Sequence, residues 1–207
     1  MRRIKFIILL LPVLILCGCA APLEVHRFKP AADQPNIAVI TIANEPYLRY
    51  ADPEIEVTAT LFESKQVFIL SLEITNKTIA RIDARDYSIA LCDGRDLKPL
   101  TQFSRQDIMN FKLAFERGTP IKTGEPAVDA ALGTIMQLFS PASRSEIIKN
   151  LAKAIDDYFS FRPLYPQEAR EGIICYHADF QLEYPLSLVI RAKDKSMALK
   201  WMPLSQP

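Results

Sequence analysis

The 207 residues contain no Cys-x-x-Cys, no glycine loop of the nucleotide-binding kind and no paired-histidine metal motif. These absences exclude a thioredoxin-like redox site and the common zinc sites. Histidine is scarce: His26 and His177 are the two, so no site built on several imidazoles can be assembled. Charge of one sign is missing as well. Of the 25 basic residues, Arg2, Arg3 and Lys5 lie in a leader segment, and without them 22 face 24 acidic residues. Such a balance gives no electrostatic footprint for nucleic acid. No internal repeat and no low-complexity tract is found, and neither a metal nor any other cofactor is expected.

What is present begins at the N-terminus. A basic head, Met1-Arg2-Arg3-Ile4-Lys5, precedes an uncharged apolar stretch from Phe6 to Leu16. A permanent membrane helix needs about 20 such residues, and Pro12 interrupts this shorter run, so it reads as an export signal. It ends Leu16-Cys17-Gly18-Cys19, which resembles the bacterial lipobox, with Cys17 where alanine or serine is commoner. The resemblance implies cleavage between Gly18 and Cys19, a diacylglycerol thioether on the Cys19 sulfur and acylation of its amine. A thiolate is the nucleophile such a thioether requires, and several acyl chains anchor firmly, at roughly 0.8 kcal/mol per buried methylene. Ala20 in place of Asp after the lipid site resembles outer-membrane sorting in Gram-negative lipoproteins. The expected setting is therefore the periplasmic face of an outer membrane, with the membrane and another envelope protein as partners.

Three prolines, Pro22, Pro30 and Pro35, mark residues 19–35 as the lipidated N-terminus and a tether, leaving 36–207 as the folded domain. Ile37 to Ile42 is a β-branched run read as a strand buried on both faces. Ile55, Val57, Ala59, Leu61 and then Phe68, Leu70, Leu72, Ile74 have the period of two of half-buried strands, with a hairpin turn at Glu63–Gln66. Asn76-Lys77-Thr78 reads as a turn. Tyr87, Ile89 and Leu91 mark another strand, closed by Asp93-Gly94.

The period then becomes helical over about 104–160. Ser104 caps a helix with Ile108, Phe111 and Phe115 on one face, stopped by Gly118 and Pro120. A second is expected from Pro126, with Val128, Leu132, Ile135 and Phe139 aligned. Its nearly all-apolar stretch, Ala127 to Phe139, could insert in a membrane or seat against a partner helix, although core packing is commoner for such a segment. Ser143-Arg144-Ser145-Glu146 is a capping box for a third, with Ile148, Leu151, Ile155 and Phe159 facing one way. Strands return at Ile174–Phe180, Leu186–Ala192 and Met197–Met202.

Strands at both ends with helices between them predict a mainly β, α+β chain: an antiparallel sandwich interrupted by about three helices. The rhythm from Leu61 to Gly94 resembles the immunoglobulin-like, telokin-like modules of bacterial lipoproteins, which implies that sandwich and no active site. Two constellations remain. Cys175, His177 and Asp179 fall on one face of a regular strand, where thiol, imidazole and carboxylate are metal ligands or proton-transfer groups, although a polar sheet face with a structural cysteine is the commoner arrangement. Cys92 and Cys175 are the two cysteines of the exported part, and an oxidising compartment allows a disulfide between them if their strands are neighbours; two buried thiols are the alternative. Glu168, Glu171 and Asp179 read as solvated turn acids. No catalytic residue is expected, and the sequence favours a non-catalytic binding or structural lipoprotein over an envelope enzyme or a carrier of an apolar ligand.

Overall fold

A computed structural model describes residues 26–32, 34–42, 45–64, 67–117, 144–192 and 195–204. The strands are β1 (His26–Pro30), β2 (Ile37–Ile42), β3 (Glu45–Ala51), β4 (Ile55–Ser64), β5 (Val67–Asn76), β6 (Tyr87–Cys92), β7 (Thr101–Gln102), β8 (Ala169–His177), β9 (Leu186–Ala192) and β10 (Lys195–Pro203). The helices are α1 (Arg105–Arg117) and α2 (Arg144–Asp156).

All strand pairs are antiparallel, and the sheet runs β6-β9-β10-β1-β4-β5-β8-β7. It bends almost into a closed barrel. β1 makes the bend on one side: His26 and Arg27 pair with β4, whereas Phe28 to Pro30 pair with β10. The segment before β7 makes it on the other, where Leu100 donates to the Leu91 carbonyl and Pro99 bridges Cys92. The mainly β, antiparallel expectation is met, in a barrel-like form where a two-layer sandwich was expected.

The period of two accounts for the core. Ile55, Val57, Ala59 and Leu61 of β4 and Phe68, Leu70, Leu72 and Ile74 of β5 are buried, and they meet Leu91, Leu188, Ile190, Leu199 and Trp201 of the β6, β9, β10 layer. Asn76, fully buried where β5 ends, makes the expected turn: its Nδ2 donates to the Ala80, Leu164 and Tyr165 carbonyls, and its Oδ1 accepts from Thr78. Such a hub leaves no buried amide group unmatched.

Several expectations need correction. β1 lies inside the stretch read as tether, because its backbone completes two ladders that would otherwise be open. β3 and β7 escaped notice: β3 carries Pro46 and Arg49 and lacks a clean period, and β7 is two residues long. β2 is not buried on both faces; it is the outer strand of a hairpin with β3.

Within the helical region, α1 starts as expected. Ser104 Oγ accepts from the Asp107 amide while Asp107 Oδ2 accepts from the Ser104 amide and hydroxyl, a capping box with Asp at the third position. Ile108 is buried. α2 ends at Asp156, so Phe159 is buried from the extended segment beyond the helix. The helix expected from Pro126 and the Ser143 cap lie outside the described residues.

Candidate functional site

The excursion leaves and rejoins the barrel at one place, the outer edge of β8. On the way out, Thr101 and Gln102 pair with His177 and Tyr176, and the Phe103 amide donates to the Cys175 carbonyl at 2.9 Å. On the way back, the Ile173 amide donates to the Asp157 carbonyl at 2.8 Å and the Phe159 amide to the Ile173 carbonyl at 2.9 Å. The returning segment comes so near that a Cβ on Gly172 would stand 2.6 Å from the Phe159 Cα.

Three side chains clasp the ends of the excursion together. Gln102 Nε2 donates to the Tyr158 hydroxyl, which donates to the Phe103 carbonyl at 2.7 Å, and Arg105 Nε donates to the Ile155 carbonyl in the last turn of α2. Beside the clasp lies an open cleft of about 410 Å³ lined by Arg105, Asp156, Tyr158, Phe159, Ser160 and Phe161. A carrier of an apolar ligand needs an enclosed apolar cavity; this cleft is open and carries two charged side chains.

The excursion covers the face on which Cys175 and His177 were expected to meet. Cys175 is 0% exposed, and burial pushes its thiol up to about 12, so it stays protonated near neutral pH and is neither a ready nucleophile nor a ready ligand. His177 is buried beside Phe103, ring centroids 6.3 Å apart. Burial lowers the imidazole pKa, with the Asp179 charge opposing. Asp179 lies past the end of β8 and is exposed, so the regular alternation that aligned the three residues does not extend to it. Among the described residues, no three His, Cys, Asp or Glu side chains are grouped to hold a metal ion.

Cys92 and Cys175 are free thiols, both buried, in place of the expected bridge. The reason is topological. β6 pairs with β9 and β8 with β5 and β7, so the segment from Pro99 to Gln102 runs between the two cysteine strands. Burial also raises the Cys92 thiol. The buried Tyr176 hydroxyl makes no well-formed hydrogen bond among the described residues; its pKa is raised by burial and by the nearby Tyr158, Cys92 and Cys175, with the Leu91 backbone weakly opposing.

The acidic residues do not form a pair. Glu168 precedes β8, binding Arg170 and the Tyr165 amide, while Asp179 lies beyond the strand's other end and Glu171 is exposed between them. Arg170 is itself structural: from a buried position it donates to the Ser160, Arg162 and Pro163 carbonyls, and the Tyr87 hydroxyl donates to the Arg162 carbonyl as well.

The feature that sequence reasoning misplaced is β2. Ile37-Ala38-Val39-Ile40-Thr41-Ile42 carries no charge, yet Val39 is 57% and Ile42 46% exposed. One edge of the strand pairs with β3, and among the described residues no strand lies on the other. The direction of its backbone groups follows from Pro46, whose carbonyl accepts from Thr60 Oγ1 of β4 and so points away from β2. Thr41 opposite Pro46 is therefore a non-hydrogen-bonded pair, and by alternation Ile37, Val39 and Thr41 turn their N–H and C=O groups to the open edge. No signal within the strand marked this, since a run of β-branched residues without alternation can lie at an edge as well as in a core.

Among the described residues no helix is long and apolar enough to cross a membrane. No family model, no curated protein and no solved structure matches this chain.

Proposed function

We propose that this chain is an envelope lipoprotein, anchored by lipid on Cys19, whose barrel binds another envelope protein without catalysing a reaction. The outer membrane is the address, read from the Cys19-Ala20 junction. The immunoglobulin-like kinship suggested by the Leu61–Gly94 rhythm belongs to the same proposal; it is supported by the β4–β5 hairpin lying in one layer and β6 in the other.

The observation that carries the binding role is the open edge of β2. Soluble proteins guard an edge strand with charge, proline or a bulge, because its unpaired groups are a template for another chain. β2 has none of these guards and offers apolar side chains on both faces. Strand addition is the recognition mode such an edge supports: backbone hydrogen bonds give affinity, and pockets beside alternate side chains give specificity.

A photocrosslinker placed at Thr41 in living cells, followed by mass spectrometry, tests this. The expected outcome is one reproducible protein partner, with a second copy of this chain identified in the same spectra if that is the occupant. Val39→Pro removes an N–H aimed at the open edge without removing one aimed at β3. It should lower partner capture by at least tenfold while leaving the thermal midpoint within a few degrees. No reproducible crosslink, or capture by Val39→Pro equal to wild type, would contradict the proposal.

A further inference from the structure

The end of the barrel at which the chain emerges from residues 1–25 gathers exposed apolar side chains from four separate segments, joined by contacts between their neighbours. Arg27, next to His26 in β1, accepts at its carbonyl from the Leu204 amide and pairs through its guanidinium with Glu45, at the β2–β3 turn beside Ile42. Phe28 packs its ring 6.2 Å from that of Tyr184. The Gly94 amide donates to the Glu183 carbonyl, which seats the turn bearing Leu97 against the Tyr184 loop. Lys98 of that turn lies 3.8 Å over the Phe180 ring. Ile42, Leu97, Tyr184 and Leu204 are 46%, 54%, 36% and 47% exposed.

The length of chain between Cys19 and His26 limits what can lie opposite this end. Seven Cα steps separate Cys19 from His26, and at 3.3–3.6 Å per residue they span at most about 25 Å. The nine Cα steps of β4, which ends beside His26, run about 30 Å along the strand. If the far end, with Ile79 and Tyr165, were the one facing the anchor, the connecting residues would have to run the length of the barrel, and they are too short.

We infer that the His26 end of the barrel rests on the lipid surface, with Ile42, Leu97, Tyr184 and Leu204 entering the headgroup boundary; this rests on the Cys19 anchor proposed above. Tyrosine and lysine suit that depth, the ring apolar and its hydroxyl or a neighbouring ammonium reaching water. Among the described residues here, Arg27 pairs with Glu45 and Arg95 with Glu183, and Asp96 and Asp179 stand against Lys98. The contact is therefore apolar, with no basic patch among the described residues to select anionic lipid. It leaves the open edge of β2 running away from the bilayer, with only its Ile42 end near the surface.

The test uses the full mature lipoprotein in phosphatidylcholine vesicles, with an environment-sensitive fluorophore on Leu204→Cys, Leu97→Cys or, as the far-end control, Ile79→Cys. Quenching by nitroxide-labelled lipid should be at least fivefold stronger at 204 and 97 than at 79, and unchanged between low and high salt. Mass spectrometry of the N-terminal peptide is run on the same samples. An acylated protein with equal quenching at all three positions, or with quenching lost in high salt, overturns this orientation alone. An unacylated N-terminus overturns the anchor and the orientation together.

Discussion

At the residue scale, Asp52 shows how one carboxylate ties distant segments. Its Oδ1 accepts from the Glu54 and Ile55 amides, capping the β3–β4 turn, and its Oδ2 accepts from the Tyr50 hydroxyl and from Lys195 at the start of β10. Burial pushes this carboxyl up. The Ile55 amide, Lys195, the Glu54 amide and Tyr50 together outweigh burial and hold it at about 2, below the ordinary 3.8. A native pKa below the unfolded one means that the folded chain binds fewer protons in between. The stabilisation is fully present above about pH 4 and is lost as the pH falls through about 2. Urea midpoints measured from pH 7 down to pH 2 should therefore fall more steeply for the wild type than for Asp52→Asn. Parallel curves for the two would show that Asp52 carries no such linkage. Cys175 makes the opposite point: complete burial, without a donor to favour the charged form, drives the thiol to about 12 and silences it.

At the element scale, Gly172 permits the helical excursion to rejoin β8. Gly172→Ala would place a methyl against the backbone of Phe159 and the Asp157 carbonyl, atoms that no rotamer change can move. Overpacking of this kind costs about 1–3 kcal/mol. Chemical denaturation should show that loss, and amide exchange of Ile173 and Phe159 should accelerate; a wild-type midpoint would contradict the close approach. The local strand pattern was legible because each side of β4 and β5 has one environment, so the period of two in Ile55–Leu61 and Phe68–Ile74 maps directly onto burial. The Ser104 cap was legible for a similar reason, since capping is decided within one turn. Cys175, His177 and Asp179 were not, because whether a face is wet depends on what folds over it, and the cover comes from the Phe103 and Tyr158 segments, far away in sequence. The same holds for β2. Nothing within Ile37–Ile42 says whether a second layer arrives, and only the pairing of β3 with β4 leaves β2 at the margin.

At the scale of the whole molecule, β1 and the Pro99–Gln102 segment turn a broad antiparallel sheet into a nearly closed barrel, and among the described residues β2 keeps one edge without a strand partner. On the proposed reading the architecture separates two tasks, with the His26 end toward the anchor and the β2 edge toward an extended partner. Both readings depend on the chain being held at a membrane by Cys19, and the mass of the N-terminal peptide from membranes of cells expressing the full chain tests that directly. A peptide beginning at Cys19 and carrying a diacylglyceryl thioether and an N-acyl group is the predicted result. A mature N-terminus elsewhere, or an unmodified Cys19, would contradict it.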